Sequence, residues 1–310
     1  MLWELLWAIG ITLGVREWLA WPWGAAILAG ALSPLGVHAA ILALGFARAL
    51  SPGLDGKRPP KLGAARLGRM FALEFVASVR AFQIEMPWTA RRPLASAREA
   101  ANAGIPVLLI HGYLCNRQVW RPMAAFLARR GHPIEAVDLE PVFTSIDDYA
   151  NVVCDGVERL RSRTGTERIA LVCHSMGGLA ARVYLRRFGD DAIERVVTIG
   201  SPHQGTRNAD RGHGLNAAQM RPDSDWLRAL AASESARRTS RFTVILSRHD
   251  NVVMPQSIQT LAGARTIGFD GIGHVRLVSD ASVMATVADV LKATDLPSMT
   301  PGGPILGCKP

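Results

Sequence analysis

Five apolar runs of strand length, separated by stretches of helical periodicity, constrain this chain more than any other feature. They are IPVLLI (105–110), PIEAVDL (133–139), RIALVC (168–173), RVVTIG (195–200) and FTVILS (242–247). Runs this uniformly apolar suit strands covered on both faces, as in a parallel sheet. Helical patterns lie between them over 119–130, 147–163 and 177–188. Ser145 and Asp147 stand where an N-cap would fall, and Gly131 and Gly165 mark helix ends. The order β, α, β, α predicts an α/β fold with a mostly parallel, doubly wound sheet and right-handed crossovers. Function in such sheets gathers at the carboxyl ends of the strands.

The residues before this alternation have a different character. Between Met1 and Leu50 the only charges are Glu4, Arg16, Glu17 and Arg48, and five of the chain's eight tryptophans (Trp3, Trp7, Trp18, Trp21 and Trp23) fall there. Tryptophan favours the headgroup layer, where one end of its ring is apolar and the other wet. The expectation is a transmembrane helical hairpin over 1–50, with helices over 2–19 and 23–48, a break at Pro22 and a kink at Pro34. The first helix is near the lower length limit for about 30 Å of hydrocarbon. A cleaved signal peptide and a pair of soluble core helices are the rival readings, although the n-region lacks Lys and Arg and the apolar run outlasts a signal.

Arg48, Lys57, Arg58, Lys61, Arg66 and Arg69 face only Asp55 between positions 48 and 69. A net charge of +9 concentrated after an apolar stretch points to a membrane surface rather than nucleic acid. Basic residues after a span are retained in the cytoplasm, which would put the rest of the chain there. Residues 51–100 read as a basic linker followed by an amphipathic helix over 67–86, with Met70, Phe71, Phe75, Val79 and Phe82 at helical spacing. That helix either lies on a membrane or, the plainer reading, packs on the domain that follows. The main domain is expected over 101–295, with a tail over 296–310. With 20% charged and 49% hydrophobic residues, the chain is neither disordered nor a multi-span transporter. Cys115, Cys154, Cys173 and Cys308 lack CxxC spacing and are expected to be free thiols. No histidine pair has the helical spacing of a metal site, so neither metal nor cofactor is expected.

The stretch VCHSMGG (172–178) ends an apolar strand on a serine and follows it with glycines. A serine at such a strand-to-helix turn is held in a strained conformation, its oxygen near the Met176 amide and the positive end of the next helix. The residues two before and two after it crowd together and must be small, as Gly177 and, less fully, Cys173 are. Cys173, His174, Ser175, Met176 and Gly177, with Gly178, resemble the nucleophile elbow of α/β-hydrolases in the HSMGG form of bacterial lipases. Cys173 departs from that family's first glycine. LLIHGYLCN (108–116) resembles the family's strand and His-Gly loop, here His111 and Gly112.

The resemblance implies an oxyanion hole from the amides of Tyr113 and Met176, each donor lowering the barrier by about 3 kcal/mol. SRHDNVVMP (247–255) resembles the family's acid loop, making Asp250 the carboxylate. GIGHVRLVSD (271–280) supplies His274 as the base. Ser, Asp, His is the family's chain order. SPHQGT (201–206) is similar to a lipase segment in which His203 would line the pocket. His174 would support the elbow, and His132, His213 and His249 are expected at the surface.

These residues would perform acyl transfer through an acyl-serine. About forty residues between Ser201 and Phe242 contain Met220, Trp226, Leu227 and Leu230, and 203–238 is expected as a lid or cap. Lid and anchor together favour lipid or long-chain esters as substrates and a membrane as partner. The location implied is a bacterial inner membrane with a cytoplasmic catalytic domain. An acyltransferase or thioesterase would use the same triad, and a membrane-tethered protein that binds lipid or a partner without turnover is the rival from another class.

Overall fold

In the computed structural model, which describes residues 2–51, 58–90, 92–94 and 104–293, the five apolar runs are strands of one sheet. They are β1 (Val107–Ile110), β2 (Ile134–Val137), β3 (Ile169–His174), β4 (Ile193–Ile199) and β5 (Phe242–Ser247). A sixth, β6 (Arg265–Phe269), was not foreseen: it is an edge strand, exposed along much of its length, so its sequence lacks the apolar signal. The order is β2-β1-β3-β4-β5-β6, and every neighbouring pair is parallel.

Side chains alternate across the sheet. Leu108 and Ile110 enter one core layer with α6 (Tyr149–Thr164) and α7 (Gly177–Phe188). Val107 and Leu109 enter the other, with α5 (Arg121–Ala128) and α11 (Ala281–Lys292). The strand order reverses between β1 and β3, whose last paired residues are Ile110 and Cys173. The loops after those two strands therefore emerge side by side at a topological switch point.

Gly131 and Gly165 adopt φ of 84° and 67° at their helix ends. The cap expected for α6 is corrected: Asp148 occupies that place without a side-chain cap bond. Ser145 Oγ and Asp147 Oδ2 instead accept hydrogen bonds from Gln219 Nε2 (2.7 Å) and Trp226 Nε1 (2.8 Å). Two histidines expected at the surface are buried: His132 bonds to the Ile105 carbonyl, and His249 lies between the Pro60 carbonyl and the Gly271 amide. The expectation of four free thiols is also corrected, because Cys154 is disulfide-bonded, with its partner outside the described residues; Cys115 and Cys173 are free. The tail over 296–310 and most of the linker likewise lie outside the described residues.

Before the sheet come α1 (Leu2–Trp18), α2 (Trp23–Ala49) and α3 (Ala64–Val79), the last continuing through a π-helical stretch (Arg80–Glu85) into α4 (Met86–Thr89). α1 and α2 pack together so closely that a Cβ at Gly30 would meet the Ala8 carbonyl at 2.4 Å. Helix α2 is long and apolar enough to cross a membrane, with a mean hydropathy of 1.9, and keeps large apolar side chains such as Ile27, Leu28 and Leu44 exposed. At 17 residues, α1 is shorter. The carboxyl half of α2 packs on α3, where Phe46 meets Phe71, and a Cβ at Gly45 would stand 3.3 Å from the Asn251 carbonyl.

The long segment before β5 forms α8 (Leu215–Gln219), α9 (Asp225–Ala232) and α10 (Ala236–Thr239). Met220, Leu227 and Leu230 are buried in the first core layer. The buried Arg182 guanidinium ties the segment to α7, donating to Glu234 (2.6 and 2.9 Å) and to the His203 carbonyl (2.7 Å).

Candidate active site

Ser175 sits at the first position after β3 with a φ of 54°, a left-handed conformation costing a non-glycine residue about 1 to 3 kcal/mol. Three glycines make the turn possible. A Cβ at Gly177 would stand 2.3 Å from the Ile110 carbonyl, one at Gly178 would meet Ser201 Oγ at 2.3 Å, and one at Gly112 would meet Ser175 Cβ at 2.7 Å. Cys173, larger than the glycine it replaces, is fully buried in the strand. Met176 follows just before α7, and Tyr113 lies in the loop after β1. Among the described residues, neither backbone amide donates to a protein acceptor. The Tyr113 hydroxyl holds the loop from outside by donating to the His213 carbonyl (2.8 Å).

The imidazole and carboxylate meet at the same rim. His274 Nδ1 lies 2.8 Å from Asp250 Oδ2, and both residues are buried. A carboxylate only accepts, so the ring proton is on Nδ1 and the lone pair on Nε2. The other carboxylate oxygen accepts from the amides of Val252 and Val253, each at 2.8 Å, which fixes Asp250 in its turn. Burial disfavours a charged His274, but the charge and hydrogen bond of Asp250, helped by Glu74, outweigh it and raise the pKa above 6.5.

His174 stacks beside the His274 ring, centroids 4.6 Å apart, and its Nε2 donates to the His274 carbonyl at 3.2 Å. Burial first, and the nearby His274 second, drive the His174 pKa well down, so it is neutral. His111 donates from Nδ1 to the Gly112 carbonyl (2.8 Å) and accepts at Nε2 from the Leu139 amide (3.0 Å), bracing the β1 loop. Burial lowers its pKa too.

Ser175 and His274 open into one cavity of about 240 Å³ with a largely apolar wall. Tyr113, His174 and Gly112 line it, whereas His203 does not: it is buried against Thr198 (2.9 Å) and borders a separate cavity near Glu234, which corrects its expected place in the pocket. No described residue of 203–238 lines the serine cavity. The cover comes instead from the amino-terminal helices, through His38, Ile41 and Leu42 of α2 and Glu74 and Ser78 of α3. His38 Nε2 and Ser78 Oγ lie 2.7 Å apart across those two helices. A larger cavity, about 450 Å³, bordered by Arg48, Arg207 and Arg211, contains none of the expected site residues.

Sequence reasoning missed two residues of the rim. The side chain of Asn251 accepts from the His274 amide (2.9 Å), and the buried Glu74 accepts from the amides of Val275 (2.9 Å) and Arg276 (2.8 Å). Glu74 falls inside the amphipathic helix expected over 67–86. Its spacing carried a signal: it falls four residues after Met70 and three before Ala77, on the buried stripe of α3. Among the described residues, no cluster of three or more His, Cys, Asp or Glu side chains could hold a metal.

A parallel sheet with a left-handed serine after β3 and a hydrogen-bonded aspartate and histidine after β5 and β6 has the α/β-hydrolase fold. A family model described as alpha/beta hydrolase fold matches residues 105–222. Over 132 residues the chain is 30% identical to a triacylglycerol lipase of Burkholderia plantarii, covering 39% of this chain and 36% of that one. A triacylglycerol lipase of Pseudarthrobacter phenanthrenivorans is 30% identical over 115 residues, 34% of this chain and 35% of that one. The matched regions thus span about a third of those relatives' length. Among solved structures, mature Bacillus licheniformis lipase BlEst2 is similar at a TM-score of 0.57 and 14% identity, covering 64% of this chain and 96% of that one. Aspergillus fumigatus lipase B is similar at 0.55 and 14%, with 64% of this chain and 55% of that one covered. These structures share the fold.

Proposed function

We propose that the chain is a serine hydrolase of carboxylic esters, acting on lipid or long-chain acyl esters. The observation that carries this reading is the Asp250–His274 hydrogen bond opening on the cavity that holds Ser175. His274 Nε2 takes the hydroxyl proton as Ser175 Oγ attacks the ester carbonyl. The resulting oxyanion faces the Tyr113 and Met176 amides. As the tetrahedral species collapses, the C–O bond to the alcohol breaks and His274 returns the proton to the leaving oxygen. Water, deprotonated by His274, then attacks the acyl-serine; the acid leaves and Ser175 regains its proton. Asp250 holds the imidazole in the required tautomer and stabilises its cationic form.

The apolar cavity wall supports an acyl chain in the site, and its construction from α2 supports a membrane-resident ester. Ile41 lines the cavity and is also 64% exposed on α2, which supports entry of an acyl chain past that helix. The basic residues after α2 favour a cytoplasmic domain, whereas a disulfide at Cys154 belongs to oxidising compartments. A carboxyl-terminal reporter active only in the periplasm would overturn the cytoplasmic placement.

Labelling with a fluorophosphonate probe tests the chemistry. Wild type is expected to react and Ser175→Ala is not; equal labelling of the two removes the assignment. Turnover of p-nitrophenyl esters of increasing chain length then tests substrate class, and hydrolysis of acetate alone would count against lipid. Product analysis with an added alcohol or thiol separates hydrolysis from acyl transfer.

A further inference from the structure

We propose that Glu74, contributed by a helix outside the sheet domain, is a positioning residue for His274. The proposal rests on the serine hydrolase reading above and adds a residue to it. The Glu74 carboxylate is fully buried, lines the serine cavity and accepts from two successive amides, Val275 and Arg276, immediately after the base. The loop fits closely around it: a Cβ at Gly273 would stand 2.5 Å from the Glu74 carboxyl carbon, so a side chain there would push the carboxylate off its amides. The turn that presents the imidazole is thus gripped from both sides. Asn251 holds the His274 amide, and Glu74 holds the next two.

A neutral side chain could satisfy the amides at less desolvation cost, since burial is the largest influence on Glu74 and raises its pKa to about 7. What a carboxylate adds is negative charge near the imidazole, where it favours the cationic form, as Asp250 does from the other side. The groups facing Glu74 are His274 and Asp250 on the rim loops, His38 on α2 and His174 on β3, all but Asp250 along the same cavity wall. Among these, Asp250 raises the Glu74 pKa and His274 lowers it.

The experiment is the pH profile of kcat/KM for wild type, Glu74→Gln and Glu74→Ala, each as the full chain, with a water-soluble short-chain ester. Glutamine keeps one acceptor and loses the charge that Glu74 gains as pH rises through about 7, so the acidic midpoint is expected lower than in wild type, by at most about one pH unit. The plateau should fall about tenfold in Glu74→Gln and nearer a hundredfold in Glu74→Ala, the scale of a misplaced catalytic group. A structural residue with no influence on the base would leave the midpoint where it was. Superimposable midpoints and plateaus for wild type and Glu74→Gln overturn the proposal, and the near-isosteric glutamine keeps the test available should Glu74→Ala not fold. Fluorophosphonate labelling distinguishes the two failures: an unreactive wild type sinks the hydrolase reading, whereas a reactive wild type with unchanged Glu74 variants sinks this inference alone.

Discussion

The sheet domain and the helical layer before it bear on the same cavity in opposite ways. The sheet domain holds the residues of the proposed triad by backbone constraint: Ser175 in a left-handed turn with no room for a Cβ at Gly112 or Gly177, and Asp250 pinned by two amides. The helical layer contributes wall and charge instead: the apolar side chains of α2, the His38–Ser78 pair and the Glu74 carboxylate. The difference teaches that chemistry can be encoded within one fold while access and adjustment are encoded in an appendage.

The largest effect should follow from breaking the sheet domain's share. Asp250→Asn keeps the size of the side chain but favours the wrong His274 tautomer, and kcat is expected to fall about 10⁴-fold. The measurement is steady-state turnover of a soluble ester, with unfolding curves as a control. A loss of less than tenfold would mean that the imidazole is oriented by something other than the 2.8 Å bond to Asp250.

A smaller and more selective effect is expected from the helical layer. Leu42→Trp enlarges a buried α2 side chain on the cavity wall. It should cut kcat/KM for long-chain esters by about tenfold, comparable to the loss of one or two methylene contacts in an apolar pocket, while sparing acetate esters. Equal losses for both chain lengths would show that the wall does not sort substrates. A long-chain effect as large from a substitution at the exposed Leu215 in the 203–238 segment would return the covering role to that segment.

These two regions were not equally legible in the sequence. Strands buried on both faces announce themselves by apolar runs, and a turn that must be tight announces itself by glycine, so the sheet and the tight turn at Ser175 could be read directly, whereas Asp250 and His274 were singled out only by the resemblance to α/β-hydrolases. β6 could not, because an edge strand with exposed positions has no apolar run to show. The amino-terminal helices were legible as helices, yet what they dock against was not: amphipathicity says which face is buried, never what covers it. Hence residues 203–238, long and apolar in patches, were expected over the serine, whereas their apolar side chains enter the core and their polar ones bond to the 142–149 turn. Glu74 was hidden for a related reason, since a carboxylate on a buried stripe is legible only once its two amide partners, two hundred residues away, are known.

The smallest expected effect concerns stability and sharpens the comparison further. Glu74 has its pKa raised from 4.5 to about 7 by burial, so across that window the folded chain keeps a proton that the unfolded chain releases. Stability from this residue is therefore greatest below the window, falls as pH rises through it and is constant above, with a ceiling of about 3 kcal/mol. Glutamine at position 74 does not titrate, so the stability of Glu74→Gln relative to wild type should improve by about 2 kcal/mol on going from about pH 5 to about pH 8. Urea unfolding at the two pH values measures it. A difference that stays constant with pH would mean that water or a protein group already compensates the buried charge. A difference that grows as expected, in a variant with impaired turnover, would mean that the helical layer gives up stability to keep a negative charge beside the base.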